Sequence, residues 1–278
     1  VLGLKAITGK GDLITTGCYT TKGVVGYDLT RLLIGSEGTL AVITEATLKL
    51  TALPSAVTGM TAHFSDLVSC TSAIVNIMAL PHLPSALEFL DTGSLDLIRN
   101  RFPSMLPSHS MLMIEIDGSK SEIQDSINDI LSACKTAGLI CANQVDNSAA
   151  LWKARKALSP LLREIAPKKI NEDIVVPVTS LPEFLDSLTR LCAHYHIANV
   201  NFGHAGNGNI HVNLLIDPDD TSQAIRAEQC LGEIFNLVIK LRGTLSGEHG
   251  IGCKKRAFLT KEIDDNTLSL MKNVKHLF

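Results

Sequence analysis

"NFGHAGNGNIHVN", residues 201–213, places His204 and His211 seven positions apart in a segment that carries three glycines. A seven-residue step along a continuous helix would return both imidazoles to nearly the same face, but the glycines disfavour a helix here. Two strands joined by a tight turn would bring the rings together instead. We therefore predict an antiparallel hairpin whose two imidazoles converge from neighbouring strands.

The hairpin lies inside a longer pattern in which strand-like and helix-like segments alternate. Apolar residues recur with a period of two in the strand-like segments and with helical spacing in the others. The pattern predicts a strand at 170–177, a helix at 180–195, strands at 197–204 and 209–217, a helix at 221–242 and, in the place of a closing strand, "GTLSGEHGIG" at 243–252.

The same order of elements occurs earlier in the chain. Two consecutive β-α-β-β-α-β units predict an α+β fold of duplicated ferredoxin-like units, in which an antiparallel sheet carries helices on one side. The first unit is predicted as a strand at 58–64, a helix at 66–80, strands at 85–91 and 110–117, a helix at 121–137 and a strand at 138–145, with a further helix at 147–165 before the second unit.

Four residues mark predicted helix ends. Asp66 and Ser121 precede helical segments and are suitable N-caps, because their side-chain oxygens can accept from free backbone N–H groups. Gly138 and Gly243 follow helical segments, where a residue in the left-handed conformation commonly ends a helix.

The residues before these units form a separate predicted segment. "VLGLKAITGKGDLITTG", residues 1–17, predicts two strands around a Gly-Lys-Gly-Asp turn, and a lone hairpin needs partners to bury its apolar side. "TALPSAV" at 51–57 is the best junction, so we divide the chain into 1–51 and 52–278. Because the chain begins at Val1 without a targeting sequence, we expect a fragment of a larger protein.

Composition excludes several classes of function. The net charge is -3, with no basic stripe, so nucleic acid is not an expected partner. The longest apolar runs, such as "SAIVNIMAL" at 72–80, are shorter than the roughly 18 residues of a membrane span. The 7 cysteines are widely spread without a C-x-x-C pair, which indicates a reducing, cytoplasmic compartment rather than a disulfide framework.

A third candidate ligand stands beside the two histidines of the hairpin. Glu248 and His249 lie between glycines in "SGEHGIG". Imidazole and carboxylate groups together suit zinc, manganese or iron, and three protein ligands leave positions open for water or substrate. The alternative is that the histidines are ordinary strand residues and that the glycines only form turns. Alternation also places Asn213 on the same side of its strand as His211.

Other chemistries have weaker support. The glycines of the hairpin lack the strand-to-helix context of a dinucleotide fingerprint, and no P-loop follows them. "IGSEG" at 34–38 is not a nucleophile elbow. Arg155, on the helix "LWKARKALSPLLREI", could bind a carboxylate through two parallel hydrogen bonds, although alone it reads as a solvated helix residue.

Four segments together resemble a known family. Their order is that of FAD-linked 2-hydroxy-acid dehydrogenases, and the chain resembles the C-terminal part of the glycolate oxidase FAD subunit and D-lactate dehydrogenase group, within the vanillyl-alcohol-oxidase-type flavoprotein superfamily. The segments are "GYDLTRLLIGSEGTLAVITEATLKL" at 26–50, "LWKAR" with "INEDIVVP", "GHAGNGNIHVN" at 203–213, and "SGEHGIGCKKRAFL" at 246–259.

The resemblance implies a division of roles. Residues 1–51 would be the tail of the FAD-binding domain, and 52–278 the substrate-cap domain. Glu37, Gly38 and Ile43 would lie along FAD. By the same resemblance, His204, His211 and Glu248 would hold a divalent metal and His249 would act as base. Arg155 and Asn213 would contact substrate, with Lys169 or Asn171 as additional polar groups.

Two departures from the family pattern stand out. Asn207 occupies a position where the family often has Asp, which removes a negative charge but no proposed ligand. The Gly-rich pyrophosphate-binding segment expected before Val1 and the Asn-Pro-Gly ending expected after Phe278 are not in this sequence. We therefore expect this chain alone not to bind FAD firmly and to be inactive.

The activity implied by the resemblance is oxidation of a small 2-hydroxy acid, glycolate or D-lactate, to the 2-oxo acid. Hydride would pass to the flavin and the metal would assist deprotonation of the hydroxyl. A second cationic group would suit 2-hydroxyglutarate, and Lys168 and Lys169 make that acid a further candidate substrate. The expected partners are an electron-acceptor protein or quinone, with an iron-sulfur subunit and a homodimer as further options. The expected location is the cytoplasm, or the inner face of a membrane through partner subunits.

Two other functions stay open at this level. An open His-His-Glu site can activate water as readily as an alcohol, which would make the chain a metal-dependent hydrolase. Duplicated ferredoxin-like folds can also be non-catalytic ligand-binding modules, because a fold alone does not determine function.

Overall fold

A computed structural model describes residues 1–99, 108–145, 148–166, 168–217 and 219–278. It has two compact units: the small unit, residues 1–53 with 259–278, and the large unit, residues 54–258. The strands are β1 (Gly3–Thr8), β2 (Leu13–Gly17), β3 (Ala41–Thr47), β4 (Ala56–Phe64), β5 (Ala86–Leu90), β6 (Ser110–Gly118), β7 (Leu139–Val145), β8 (Lys168–Val175), β9 (Ala198–His204) and β10 (Asn209–Ile216). The helices are α1 (Leu29–Leu33), α2 (Leu67–Met78), α3 (Thr92–Arg99), α4 (Lys120–Thr136), α5 (Ala149–Ile165), α6 (Leu181–His194), α7 (Thr221–Lys240), α8 (Leu259–Glu262) and α9 (Asp265–Leu277).

The large unit is built on one seven-stranded sheet of order β7-β4-β6-β5-β9-β10-β8. Its strand pairs are all antiparallel. The first four strands with α2 and α4 make one ferredoxin-like unit, and the last three with α6 and α7 make the second. An isolated bridge between Val175 and Thr244 lies in the segment 243–252, which was predicted to take the place of a closing strand in the second unit. The predicted duplication is confirmed, and pairing of β5 with β9 joins both units into a continuous sheet.

Strand alternation gives the sheet two different faces. On β10, Ile210, Val212 and Leu214 join the main core beneath α2, α4, α6 and α7, as expected for helices on one side. His211 and Asn213 lie on the opposite face, which we call the α5 face. A smaller core there packs α3 and α5 over Phe202 and its neighbours. The helices on this face add a partial third layer to the predicted arrangement, and α3 was not predicted.

Helix ends agree with prediction at two positions and differ at two. Asp66 accepts from the Ser69 amide at 2.7 Å, and Gly138 has φ +95°. The N-cap of α4 is Ser119 rather than Ser121, because Ser119 and Glu122 form a reciprocal capping box.

Gly243 does not take the left-handed conformation predicted for it. The residue with positive φ after α7 is Arg242, at +60°. Gly243 is required for a different reason: a Cβ there would lie 2.2 Å from the Val175 oxygen, and the Gly243 N–H donates to Val238 O at 2.8 Å.

The small unit contains a three-stranded sheet of order β2-β1-β3. The predicted hairpin of β1 and β2 is confirmed, and β3 supplies the partner that a lone hairpin needs. Leu4, Ala6 and Leu33 form its core, against which Phe278 packs. Within the described ranges of both units, no helix combines the length and apolar character needed to cross a bilayer.

Candidate metal and substrate site

The β9–β10 hairpin positions the two histidines. His204 is the last residue of β9, and His211 lies opposite Phe202 on β10. The connection is a 3₁₀ turn that ends at Gly208, whose φ is +72°. A Cβ at Gly208 would lie 2.0 Å from the Val176 oxygen, so the turn requires glycine for both conformation and space.

Glu248 completes a cluster of three potential ligands. Its Oε1 lies 3.5 Å from His211 Nε2 and 3.9 Å from His204 Nε2. One ligand atom from each residue falls within 4.8 Å of the others, a spacing at which the three groups could hold one ion. Two imidazole nitrogens and one carboxylate oxygen match the donors of zinc, manganese and iron, and three ligands leave further positions open. The residues present therefore fit a divalent transition metal.

Asp173 on β8 anchors the loop that carries Glu248. This buried carboxylate accepts from the backbone N–H groups of Gly247 at 3.0 Å, Glu248 at 2.6 Å and His249 at 2.9 Å. Lys255, itself buried, donates to Asp173 at 2.6 Å. Burial raises the pKa of Asp173, but the Lys255 ammonium and the backbone N–H groups outweigh it and hold the pKa far below its usual range. The loop is therefore fixed by a buried anion.

His249 faces the same cluster from this loop. Its Nδ1 lies 3.5 Å from Asp173 Oδ1, and its Nε2 lies 3.9 Å from Glu248 Oε1. The ring stacks on that of His211 with 5.7 Å between centroids. About half of the side chain is exposed, at 49%. One nitrogen thus faces the buried Asp173 carboxylate and the other faces Glu248 of the ligand cluster, an arrangement that suits a proton acceptor beside the cluster.

Arg155 reaches the site from α5. Its Nε donates to Glu88 Oε2 at 2.6 Å, and its guanidinium lies 4.4 Å above the Phe202 ring. Only 12% of the side chain is exposed, so the alternative of a solvated helix residue is wrong. The guanidinium is held by an ion pair and by cation–π contact on the α5 face.

Glu88 links Arg155 to the histidine cluster. Its other oxygen, Oε1, accepts from His204 Nδ1. Burial raises the pKa of Glu88, but the bonds and charges of His204 and Arg155 bring it below its ordinary value. In return, the bond to Glu88 raises the pKa of His204 despite partial burial. Burial, and then the positive charge of Arg155, lower the pKa of His211 to about 4, so its imidazole is neutral and available as a ligand near pH 7.

Asn213 is fully buried beside the cluster. Its Oδ1 accepts from Lys169 Nζ at 2.9 Å and Asn171 Nδ2 at 2.7 Å, while its Nδ2 donates to Val200 O at 3.0 Å. The amide therefore holds Lys169 on the α5 face, and its own contact with substrate stays a prediction. Lys168 precedes Lys169 on β8 and is exposed. Asn207 lies in the 3₁₀ turn between the two histidines.

The predicted flavin contacts lie in the small unit. Glu37 and Gly38 have consecutive positive φ values of 52° and 73°, which form a tight reversal before β3. Ile43 lies opposite Ala6 in the sheet and is 44% exposed. Their role along FAD stays a prediction.

Sequence reasoning missed three buried ionic residues of the site. Glu88 and Asp173 stand in the apolar strand segments "SALEFLD" and "INEDIVVP", where a charged residue needs a partner. Lys255 follows the glycines of the loop. The acids within these strand segments were the available signal, but their partners could not be assigned.

Comparison with known proteins identifies the family to which the chain belongs. Residues 53–278 match the family described as FAD linked oxidases, C-terminal domain. The chain belongs to the FAD-linked oxidase family. Over the full chain it is 34% identical to glycolate oxidase subunit GlcD of Bacillus subtilis, covering 60% of that protein. It is 31% identical to mitochondrial D-lactate dehydrogenase [cytochrome] of Arabidopsis thaliana, over 99% of this chain and 49% of the relative.

Solved structures support the family fold. The 4-ethylphenol oxidase of Gulosibacter chungangensis matches 98% of this chain and 61% of its own, with a TM-score of 0.69 and 13% identity.

The chain spans about half to three-fifths of the length of the curated relatives named above. These relatives of the FAD-linked oxidase family are oxidoreductases, and one of them is named as a subunit of its enzyme.

Proposed function

We propose that this chain is the C-terminal part of an FAD-dependent dehydrogenase that oxidises a small 2-hydroxy acid, glycolate or D-lactate, to the 2-oxo acid. The observation that carries the proposal is the convergence of His204, His211 and Glu248 beside the paired guanidinium of Arg155. A metal-binding cluster and a buried arginine on one face suit a substrate with adjacent hydroxyl and carboxylate groups.

Two groups would be held by the protein. His204, His211 and Glu248 are proposed to hold zinc, manganese or iron, and Glu37, Gly38 and Ile43 to lie along FAD. When bound, the metal lowers the pKa of the substrate hydroxyl and the flavin accepts hydride. The match to FAD linked oxidases supports the flavin, and the donor set supports the metal.

The protein side chains have distinct tasks in this reaction. Arg155 binds the substrate carboxylate through nitrogens other than Nε, which already donates to Glu88. This contact fixes the orientation of the α-carbon. His249 accepts the hydroxyl proton at Nε2, because its Nδ1 is directed to Asp173 at 3.5 Å. The buried carboxylate stabilises the imidazolium that forms, and a positioned base contributes about 10²- to 10⁴-fold to rate.

Lys169 supplies a second cation for a longer substrate. Its ammonium is held by the Asn213 side chain at 2.9 Å, and burial lowers its pKa. A dicarboxylate such as 2-hydroxyglutarate could pair its distal carboxylate with this group. This favours 2-hydroxyglutarate as the second candidate substrate, with Asn213 acting through Lys169.

Electron transfer beyond the flavin requires a partner, which we propose to be a protein or quinone, with an iron-sulfur subunit as a candidate. The name of the Bacillus subtilis relative as a subunit supports a multi-subunit enzyme. All 7 cysteines lie in the described ranges as free thiols, which supports a cytoplasmic location or one at the inner face of a membrane.

Anaerobic reduction of the flavin in the full-length protein tests the proposal. Glycolate, D-lactate and D-2-hydroxyglutarate should be compared before and after removal of metal by chelator, followed by readdition of Zn²⁺ or Mn²⁺. We expect bleaching by at least one acid, loss of bleaching on chelation and recovery with metal. Unchanged bleaching after complete metal removal would refute the metal site. Metal-dependent hydrolysis without flavin reduction would favour the hydrolase.

A further inference from the structure

Glu88 is a buried carboxylate on β5, in the first ferredoxin-like unit. It contacts His204, a proposed metal ligand in the second unit. It is 2% exposed and lies directly opposite His204 in the β5–β9 pairing. A buried carboxylate is costly unless charged donors satisfy it. Both of its oxygens are engaged on the α5 face, one by His204 and the other by Arg155.

The bond to His204 determines which ring nitrogen faces the cluster. Glu88 Oε1 is next to His204 Nδ1, whereas His204 Nε2 is 3.9 Å from Glu248. An ionised carboxylate only accepts hydrogen bonds, so it requires a proton on Nδ1; in the neutral imidazole the lone pair is then on Nε2, which faces the ligand cluster. The carboxylate thereby selects the tautomer in which His204 can bind a metal.

The bond to Arg155 determines the direction of the guanidinium. Glu88 Oε2 accepts from Nε at 2.6 Å, and the Phe202 ring lies 4.4 Å from the guanidinium carbon. With Nε engaged and one plane covered, the terminal nitrogens are the groups available to a carboxylate. One side chain thus orients both a metal ligand and the group proposed to bind substrate.

We propose that Glu88 is a positioning residue that couples metal binding to substrate binding, by fixing the His204 tautomer and the Arg155 guanidinium together. This inference rests on the proposed function, since it requires a metal at His204. Glu88 touches neither the substrate nor the metal in this arrangement. Its contribution is therefore visible in metal affinity as well as in catalysis.

Substitution by glutamine separates this role from simple filling of space. Glu88→Gln keeps the shape, but His204 and Arg155 bond to different oxygens of Glu88, Oε1 and Oε2, so the single amide oxygen of glutamine cannot accept from both. If the oxygen stays with Arg155 Nε, the amide NH₂ faces His204 Nδ1 and donates to it. The proton of His204 then moves to Nε2, the nitrogen that should bind metal. We expect metal affinity to fall about 10- to 100-fold.

Glu115→Gln is the matched control. Glu115 lies on the neighbouring strand β6 and also holds α5, by accepting from Trp152 Nε1 at 2.7 Å and Ser148 Oγ at 2.6 Å. Both bonds go to one oxygen, Oε2, so a single glutamine oxygen can accept both, and metal affinity should stay within about twofold of wild type.

A double variant tests the tautomer argument directly. Replacing Arg155 by Met in the Glu88→Gln background removes the competing donor, so the glutamine oxygen can turn to His204 Nδ1–H. The same replacement removes the buried guanidinium of Arg155, whose charge would have no carboxylate partner in the Glu88→Gln background and would oppose folding. Metal affinity should recover to within about threefold of wild type, while substrate affinity should not recover.

The experiment is titration of the metal-stripped full-length protein with Mn²⁺ and with Zn²⁺, measured by calorimetry, alongside KM for the best 2-hydroxy acid. Weakened binding in Glu88→Gln with recovery in the double variant supports the inference. If wild type binds metal and Glu88→Gln binds equally well, the role of Glu88 is refuted while the proposed function stands. If the double variant binds no better than Glu88→Gln, the tautomer mechanism is wrong. If wild type binds neither ion, the inference fails, and the proposed zinc or manganese site fails with it.

Discussion

Replacement of Asp173 by Asn should destabilise the large unit strongly. Asp173 accepts from three backbone N–H groups and from Lys255, and both side chains of this ion pair are buried. An asparagine has one acceptor oxygen and turns an NH₂ group toward the remaining donors. Breaking a buried ion pair from one side costs about 3–5 kcal/mol. Lys255 keeps a second carboxylate, Glu172 at 3.1 Å, but three backbone N–H groups also lose a charged acceptor, so we keep this range for the total.

Urea unfolding followed by tryptophan fluorescence measures this loss. The chain has 1 tryptophan, Trp152, which lies in the large unit and donates to Glu115, so its emission reports unfolding of that unit if the full-length protein has no other. We expect the free energy of unfolding to fall by about 3–5 kcal/mol with an unchanged m value. Asp117→Asn, at an exposed position on β6, should change it by less than about 0.5 kcal/mol. A loss below about 1 kcal/mol for Asp173→Asn would refute the anchoring role.

The same carboxylate predicts the dependence of stability on pH. Its pKa in the folded protein is lowered, although burial acts to raise it, because Lys255 and the backbone N–H groups favour the charged form. The unfolded chain, with a pKa of about 3.9, therefore binds more protons than the folded state in acid. The stabilisation is fully present above about pH 4 and is lost as pH falls toward the lowered pKa. The difference between wild type and Asp173→Asn should shrink across that window.

Three further substitutions give expected outcomes. His249→Asn should slow flavin reduction by at least about 10²-fold while the metal content, measured by atomic absorption, is retained; a rate close to wild type would exclude His249 as the base. Arg155→Lys should raise KM for the 2-hydroxy acid about tenfold in steady-state assays, because lysine cannot pair with Glu88 and bind a carboxylate through the same fork; an unchanged KM would place the carboxylate elsewhere. Ser119→Ala should lower the free energy of unfolding by about 1 kcal/mol and Ser121→Ala by much less, with the reverse order contradicting the capping box at α4.

The sheet could be predicted because its signals are local. Alternation on β9 and β10, with a glycine turn between them, specified the hairpin and put His211 and Asn213 on one side. The helix end at Gly243 was misjudged because the sequence could not show the approach of the Val175 oxygen, which requires glycine there. The left-handed residue is instead its neighbour, Arg242.

The environment of the site was less accessible to sequence reasoning. Its ligand candidates stand in recognisable Gly-rich motifs, and the structure brings them together. Glu88 and Asp173 act on those residues from strands far away in sequence, across 116 residues for the pair of Glu88 with His204. Such pairs depend on strand order and register, which propensity and periodicity do not encode.

The seam between the two halves of the sheet is short. Three residue pairs, Glu88–His204, Phe89–Gly203 and Leu90–Phe202, define its register. A displacement of one residue along this seam would turn Glu88 away from His204 and into the apolar layer under the helices. The two ferredoxin-like units therefore depend on each other. Removing the first unit would leave His204 without its carboxylate partner, and removing the second would leave Glu88 without His204.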